Sequence, residues 1–98
     1  IYSVPYEKIL AFEKDKRKVV VLTSAGKDYS FYGKFEDFMD ELDENFMRCH
    51  NSIIVNVSRV EKMEKGNLFL EYGNGYIIIP ISRTYLKVMR EVFKDSVK

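Results

Sequence analysis

Apolar residues in this chain come in short alternating or continuous runs broken by charged or glycine-containing turns, which is a β pattern. Residues 7–13 (EKILAFE) read as a first strand, and the charged stretch Lys14-Asp15-Lys16-Arg17-Lys18 breaks it. Val19–Thr23 is a β-branched run, Ala25-Gly26-Lys27-Asp28 carries turn chemistry, and Tyr29–Tyr32 returns, so a hairpin is expected. After Gly33 the period changes. Phe35, Phe38, Met39 and Leu42 fall at i, i+3, i+4 and i+7, which predicts an amphipathic helix of about ten residues over 35–44. Phe46–Cys49 and Ile53–Val57 are strand pieces on either side of a polar His50-Asn51-Ser52 interruption. Val60, Met63 and the stretch Leu68–Tyr72 bracket Lys65-Gly66-Asn67, and Gly73-Asn74-Gly75 forms a second tight turn before Tyr76–Ile79. Pro80 stops that ladder. From Ser82, placed as an N-cap, Tyr85, Val88, Met89, Val92 and Phe93 repeat at helical spacing. The expectation is about seven short strands and two small helices.

Length and composition fit one domain with a true core. The chain has 98 residues, 46% of them hydrophobic, with seven Phe and seven Tyr; at that size roughly two-thirds of the unfolded surface is buried. The single Cys excludes an internal disulfide framework and fits a reducing, cytoplasmic compartment. The longest apolar run, Tyr76 to Ile81, is far short of the roughly 20 residues that a membrane helix needs. No signal peptide opens the chain, and Ile1 suggests a piece of a longer protein. Asn56-Val57-Ser58 matches a glycosylation sequon by chance.

Charge changes the picture more. The net charge of +1 hides a segregation: residues 36–44 hold Glu36, Asp37, Asp40, Glu41, Asp43 and Glu44 and no base. Sixteen bases against the other nine acids leave +7 on the rest of the chain.

Enzyme chemistries find no support. Nucleophilic catalysis needs a base within reach of Cys or Ser, yet Cys49 and His50 are neighbours in an extended run and there is no second His. One Cys and one His are too few for a zinc site. The acids of 36–44 read as a solvated face, and Gly66, Gly73 and Gly75 serve hairpins rather than a phosphate loop. No cofactor is expected.

Three basic segments remain. Lys14, Lys16, Arg17 and Lys18 form one, either solvating a hairpin or gripping nucleic acid. Arg48 to Ser52 combines Arg, Asn and Ser, donor types used against phosphates and base edges. Arg83, Lys87, Arg90, Lys94 and Lys98 oppose only Glu91 and Asp95. Cations at a helix C-terminus suit its dipole, but Arg83 sits at the N-terminal end, where it asks for an anion. Loops on a small β frame then suggest a DNA binder. A protein-interaction module using segment 35–44 and the sheet edges is the rival, and a single-strand binder stacking bases on Tyr is a third option.

The run Phe46-Met47-Arg48-Cys49-His50-Asn51-Ser52-Ile53-Ile54-Val55-Asn56 resembles the F-x-R-x-H-x-S-x-x-V-N signature of the LytTR-type DNA-binding domain of bacterial response regulators. Residues 6–13, Phe31-Tyr32-Gly33 with its acidic sequel, and Ile79-Pro80-Ile81-Ser82-Arg83-Thr84-Tyr85 resemble further family elements in the same order, over about residues 4–93. The resemblance implies a mainly β fold, an elongated stack of short, mostly antiparallel sheets with two small helices. It implies sequence-specific binding of double-stranded DNA through strand-connecting loops in the major groove, regulating transcription. Asn51 and Arg83 match base-reading positions. A third contact falls in the loop after the first strand, where some members use His; here Arg17 and Lys18 replace it. Lys14, Lys16, Lys87 and Ser52 are expected on phosphates. His50 is expected to be structural or phosphate-contacting, and Arg48 to contact phosphate or pair with an acid of segment 35–44. Cys49 matches a redox position of one family branch whose partner Cys is missing here, so it is expected in the core. Relatives carry an N-terminal receiver domain and bind direct repeats as dimers; this domain alone is expected to be monomeric or weakly dimeric, with no membrane contact.

Overall fold

The computed structural model describes residues 4–94. Eight strands form two antiparallel sheets, followed by one helix: β1 Ile9–Asp15, β2 Lys18–Thr23, β3 Asp28–Tyr32, β4 Phe46–His50, β5 Ile53–Asn56, β6 Val60–Glu64, β7 Asn67–Tyr72, β8 Gly75–Pro80 and α1 Arg83–Phe93. The first sheet runs β3-β2-β1-β5-β4 and the second β6-β7-β8. The described part measures 40 × 30 × 22 Å, so the stack is elongated as expected. No helix among the described residues is long and apolar enough to cross a membrane.

The continuous apolar run Val19-Val20-Val21-Leu22 has a physical reason: the five-stranded sheet is covered on both faces. On one face Leu10, Ala11, Leu22, Cys49, Ile53 and Val55 pack against Leu68, Leu70 and Ile79 of the second sheet and Met89 of α1. On the other, Ile9, Phe12, Val19, Val21, Phe46 and Ile54 pack against Phe35, with Phe38, Met39 and Leu42 alongside. Strict alternation would send Leu10 and Ala11 to opposite faces. An irregularity in the β1–β2 pairing between Ile9 and Ala11 lets both face the second sheet. A matching one between Arg48 and His50 turns Cys49 inward.

The helix expected over 35–44 is corrected. Phe35–Asp37 and Met39–Glu41 are separate single 3-10 turns, broken at Phe38 with φ −139° and ψ −5°. Acids at 36, 37, 40, 41, 43 and 44 repel one another at i+3 and i+4 spacing, and so short a helix is marginal without favourable side-chain pairs. Asp37 instead accepts from the Lys34 N–H at 3.0 Å, closing the first turn. The apolar stripe still faces inward, with Phe38 within 5.0 Å of Phe12 between ring centroids. One α-helix therefore stands where two small helices were expected. On α1, Met89 is the buried centre, while Val88, placed on its apolar stripe by spacing, is 42% exposed. Asp95 and Lys98 lie outside the described residues.

The two sheets are pinned where the β2–β3 turn meets the β7–β8 turn. The Gly73 N–H donates to Ser24 O at 2.9 Å, and the Tyr72 hydroxyl donates to Asp28 at 2.7 Å, which raises the tyrosine's pKa. Gly26 has φ +81°, and a Cβ there would lie 3.0 Å from the Gly73 Cα. Gly26→Ala is therefore expected to destabilise the fold by about 2 kcal/mol, half from the positive φ and half from displaced backbone. Chemical denaturation of the two chains checks this; an unchanged midpoint would show that the turns are free to part.

Candidate nucleic-acid interface

The site is assembled at one end of the five-stranded sheet. Asp15 pairs with Lys18, leaving Lys16-Arg17 as a two-residue hairpin tip, with Lys16 at φ +61°. Glu13 pairs with Ile53, so the 50–53 turn lies at the same end of the sheet as that tip. Two backbone hydrogen bonds then fix the order of three segments. The Lys14 N–H donates to Ser52 O at 2.8 Å, and the Ser82 N–H donates to Cys49 O at 3.0 Å. The basic hairpin, the 50–53 turn and the start of α1 therefore stand side by side. Lys14, Lys16, Arg17, Lys18, Asn51, Arg83 and Lys87 are all exposed; Arg48, His50 and Ser52 are half-buried.

His50 shapes its own turn. The Ser52 N–H donates to His50 Nδ1 at 3.1 Å, so this ring nitrogen serves as the acceptor. A side-chain acceptor capturing the N–H two residues on is the geometry of an Asx turn, and it leaves Asn51 at the exposed corner. Of the two roles expected for His50, the structural one is visible in this contact.

Arg48 makes no ion pair with an acid of segment 35–44 among the described residues. Its guanidinium carbon lies 5.2 Å from the centre of the Phe35 ring, and its Nε is buried with no hydrogen-bond partner among the described residues. The cation covers the aromatic cluster beneath segment 35–41. Phe35 and Arg48 are 13 positions apart, and periodicity carries no signal for that pairing.

Ser82 is the residue immediately before α1, but its side chain makes no capping hydrogen bond. Its Oγ is buried with no partner among the described residues, while its N–H holds Cys49 O. The first turn of α1 contains no acid, so its free N–H groups and Arg83 leave this end electropositive. Arg83, Lys87, Arg90 and Lys94 follow one exposed face of the helix; Lys94 pairs with Glu91 at 3.5 Å at the far end.

Cys49 is fully buried among core residues, as expected. Burial pushes its thiol up to about 12, which removes thiolate at neutral pH. A thiol reagent at pH 8 is expected to leave the folded chain unmodified and to label one thiol after denaturation; rapid labelling under native conditions would contradict this burial.

Tyr32, at the end of β3, was noticed in the sequence only as a landmark. It pairs with Lys18 in the β2–β3 register and is 75% exposed beside the basic hairpin. Only the strand register, not composition, could have placed it there.

The LytTr DNA-binding domain model matches residues 1–94. Accessory gene regulator protein A of Staphylococcus epidermidis is 30% identical over 73 residues, covering 74% of this chain and 30% of that protein. Its counterpart in Staphylococcus aureus is 29% identical over 72 residues, covering 72% and 30%. The chain thus spans about a third of the length of these relatives. The LytTr DNA-binding domain of a protein described as a methyl-accepting/DNA response regulator from Bacillus cereus superposes with a TM-score of 0.73 at 26% identity, covering 92% of this chain and 84% of that one. The chain belongs to the LytTR family of DNA-binding domains, binding modules of transcription regulators and not enzymes.

Proposed function

We propose that this chain recognises a specific double-stranded DNA sequence by inserting its strand-connecting loops and the start of α1 into the major groove. The observation that carries this reading is the alignment of two exposed basic segments with the Asn51 turn between them by the Lys14–Ser52 and Cys49–Ser82 backbone hydrogen bonds. Asn51, at the corner of a turn braced by His50, and Arg83, at an electropositive helix start, read base edges; Asn suits adenine and Arg suits guanine. Arg17 or Lys18 supplies the third reader. Lys14, Lys16, Lys87 and Ser52 hold phosphates and set register. The acids of 36–44 are carried by the segment that packs through Phe35 and its neighbours on the face of the sheet opposite α1.

The domain acts as the output end of a cytoplasmic response regulator whose receiver domain lies elsewhere in the full protein. It binds direct repeats there and is monomeric or weakly dimeric alone. The rival reading, a protein-interaction module, draws on the exposed acids of 36–44.

Selection of bound duplexes followed by a salt titration tests the proposal. About four phosphate contacts predict that affinity falls roughly 100-fold between 50 and 200 mM salt. Absence of duplex retention, or binding indifferent to salt, favours the interaction module. Equal or tighter binding of the single strand favours base stacking on Tyr.

A further inference from the structure

The end of β3 adds a wall to the basic hairpin. The Gly33 N–H donates to Arg17 O at 3.1 Å, and Lys18 lies opposite Tyr32 in the strand register. The Lys18 ammonium sits 5.3 Å from the centre of the Tyr32 ring. Together Asp15, Lys16, Arg17, Lys18 and Tyr32 line a shallow cleft of ≈ 350 Å³. Three cations less one carboxylate leave this cleft at +2. Tyr32 at 75% exposure contributes little to the core, and a ring in water gains nothing for folding. Its hydroxyl, a hydrogen-bond donor at the rim of a cationic cleft, is one of the group types that hold DNA phosphates.

We infer that this cleft is a phosphate clamp, in which the Tyr32 hydroxyl and the Lys18 ammonium together hold one backbone phosphodiester of the bound duplex. The inference rests on the DNA-binding reading above and divides the labour within the hairpin. Lys18 is held over the Tyr32 ring at the side of the cleft. Arg17, at the tip with no such tether among the described residues, extends into the groove and is the base reader. Asp15, at the edge of the cleft, limits the occupant to a singly charged phosphodiester rather than a dianionic terminal phosphate.

The test uses the 98-residue chain and a selected duplex in which one phosphodiester at a time is replaced by an uncharged methylphosphonate. Wild type is expected to lose about 10-fold in affinity at one position facing the hairpin, the effect of removing a charge-assisted hydrogen bond. Tyr32→Phe is expected to bind the unmodified duplex about 10-fold more weakly and to lose less than wild type at that same position. Lys18→Gln is expected to lower the salt slope by about 0.9, and Arg17→Ala to cost affinity mainly on the selected sequence. Tyr32 is exposed, so thermal midpoints of its variants stay at the wild-type value. If wild type binds the duplex while Tyr32→Phe matches it at every methylphosphonate position, the clamp is wrong and the DNA reading stands. If wild type binds no duplex, both fall.

Discussion

Arg83→Ala is expected to weaken binding to the selected duplex by about 1–3 kcal/mol, roughly 5- to 150-fold, while leaving binding to unrelated duplexes little changed. The same substitution is expected to leave thermal stability unchanged or slightly higher. Arg83 is exposed and opens α1, where a cation opposes the helix dipole by about 0.3–1 kcal/mol. Alanine removes that opposition and has the better helix propensity. A residue that costs the fold something and is recovered only on DNA has a signature distinct from a structural one, which would lose stability and binding together. Binding isotherms on selected and scrambled duplexes, with thermal melts of both chains, separate the cases. An equal loss on every sequence would reduce Arg83 to a phosphate contact. A lowered melting midpoint would make it structural.

Much of the frame behind this expectation is legible in residue pattern, because strands and hairpins are local. Val19–Thr23 and Tyr29–Tyr32 flank a turn only a few residues long, and the glycines at 26, 66 and 73 all adopt positive φ. Segment 35–44 shows where pattern stops. Its apolar spacing correctly gives the buried side, since Phe35 and its neighbours do face the sheet. It does not give the backbone, because the like charges that spacing ignores oppose a continuous helix. The irregularities at Leu10 and Cys49 are equally silent, each being a single extra residue in a strand.

The interface divides the same way. The charged residues of each basic segment can be picked out along the chain. Their juxtaposition depends on two backbone hydrogen bonds, one joining residues 14 and 52 and the other residues 49 and 82. Such long-range pairings have no periodicity to reveal them, and the resemblance to known members stands in for that information. Tyr32 and the stacking of Arg48 on Phe35 lie beyond both: each depends on a tertiary neighbour that motif and charge leave unnamed.

The signature's two asparagines are expected to separate stability from recognition. Asn51 is exposed at the turn, whereas Asn56, five residues on, is 2% exposed at the opposite end of β5. Its Nδ2 donates to Ile9 O at 2.9 Å and Tyr6 O at 3.4 Å. Its Oδ1 accepts from the Ser58 N–H at 3.1 Å and the Ser58 hydroxyl at 2.6 Å. One amide thus ties the start of β1 to the 3-10 turn Val57–Arg59. The sequon Asn56-Val57-Ser58 is this turn, and burial closes the amide to modification. Asn56→Leu fills the space but strands the buried Ile9 carbonyl, which costs about 1–3 kcal/mol, and removes the hydrogen bonds that hold Ser58. A loss of roughly 3 kcal/mol is therefore expected, lowering the melting midpoint by roughly 12–24 °C. Molecules still folded in the cold should bind the selected duplex with wild-type affinity, because Asn56 stands away from the 14–18 and 50–53 segments. Asn51→Ala should do the reverse, leaving the melt unchanged and removing about 1–3 kcal/mol of binding on the selected sequence. Melting and binding measured on the same two variants decide it. Loss of binding in cold, folded Asn56→Leu would mean that the far end of β5 positions the reading turn, and the separation of roles would fail.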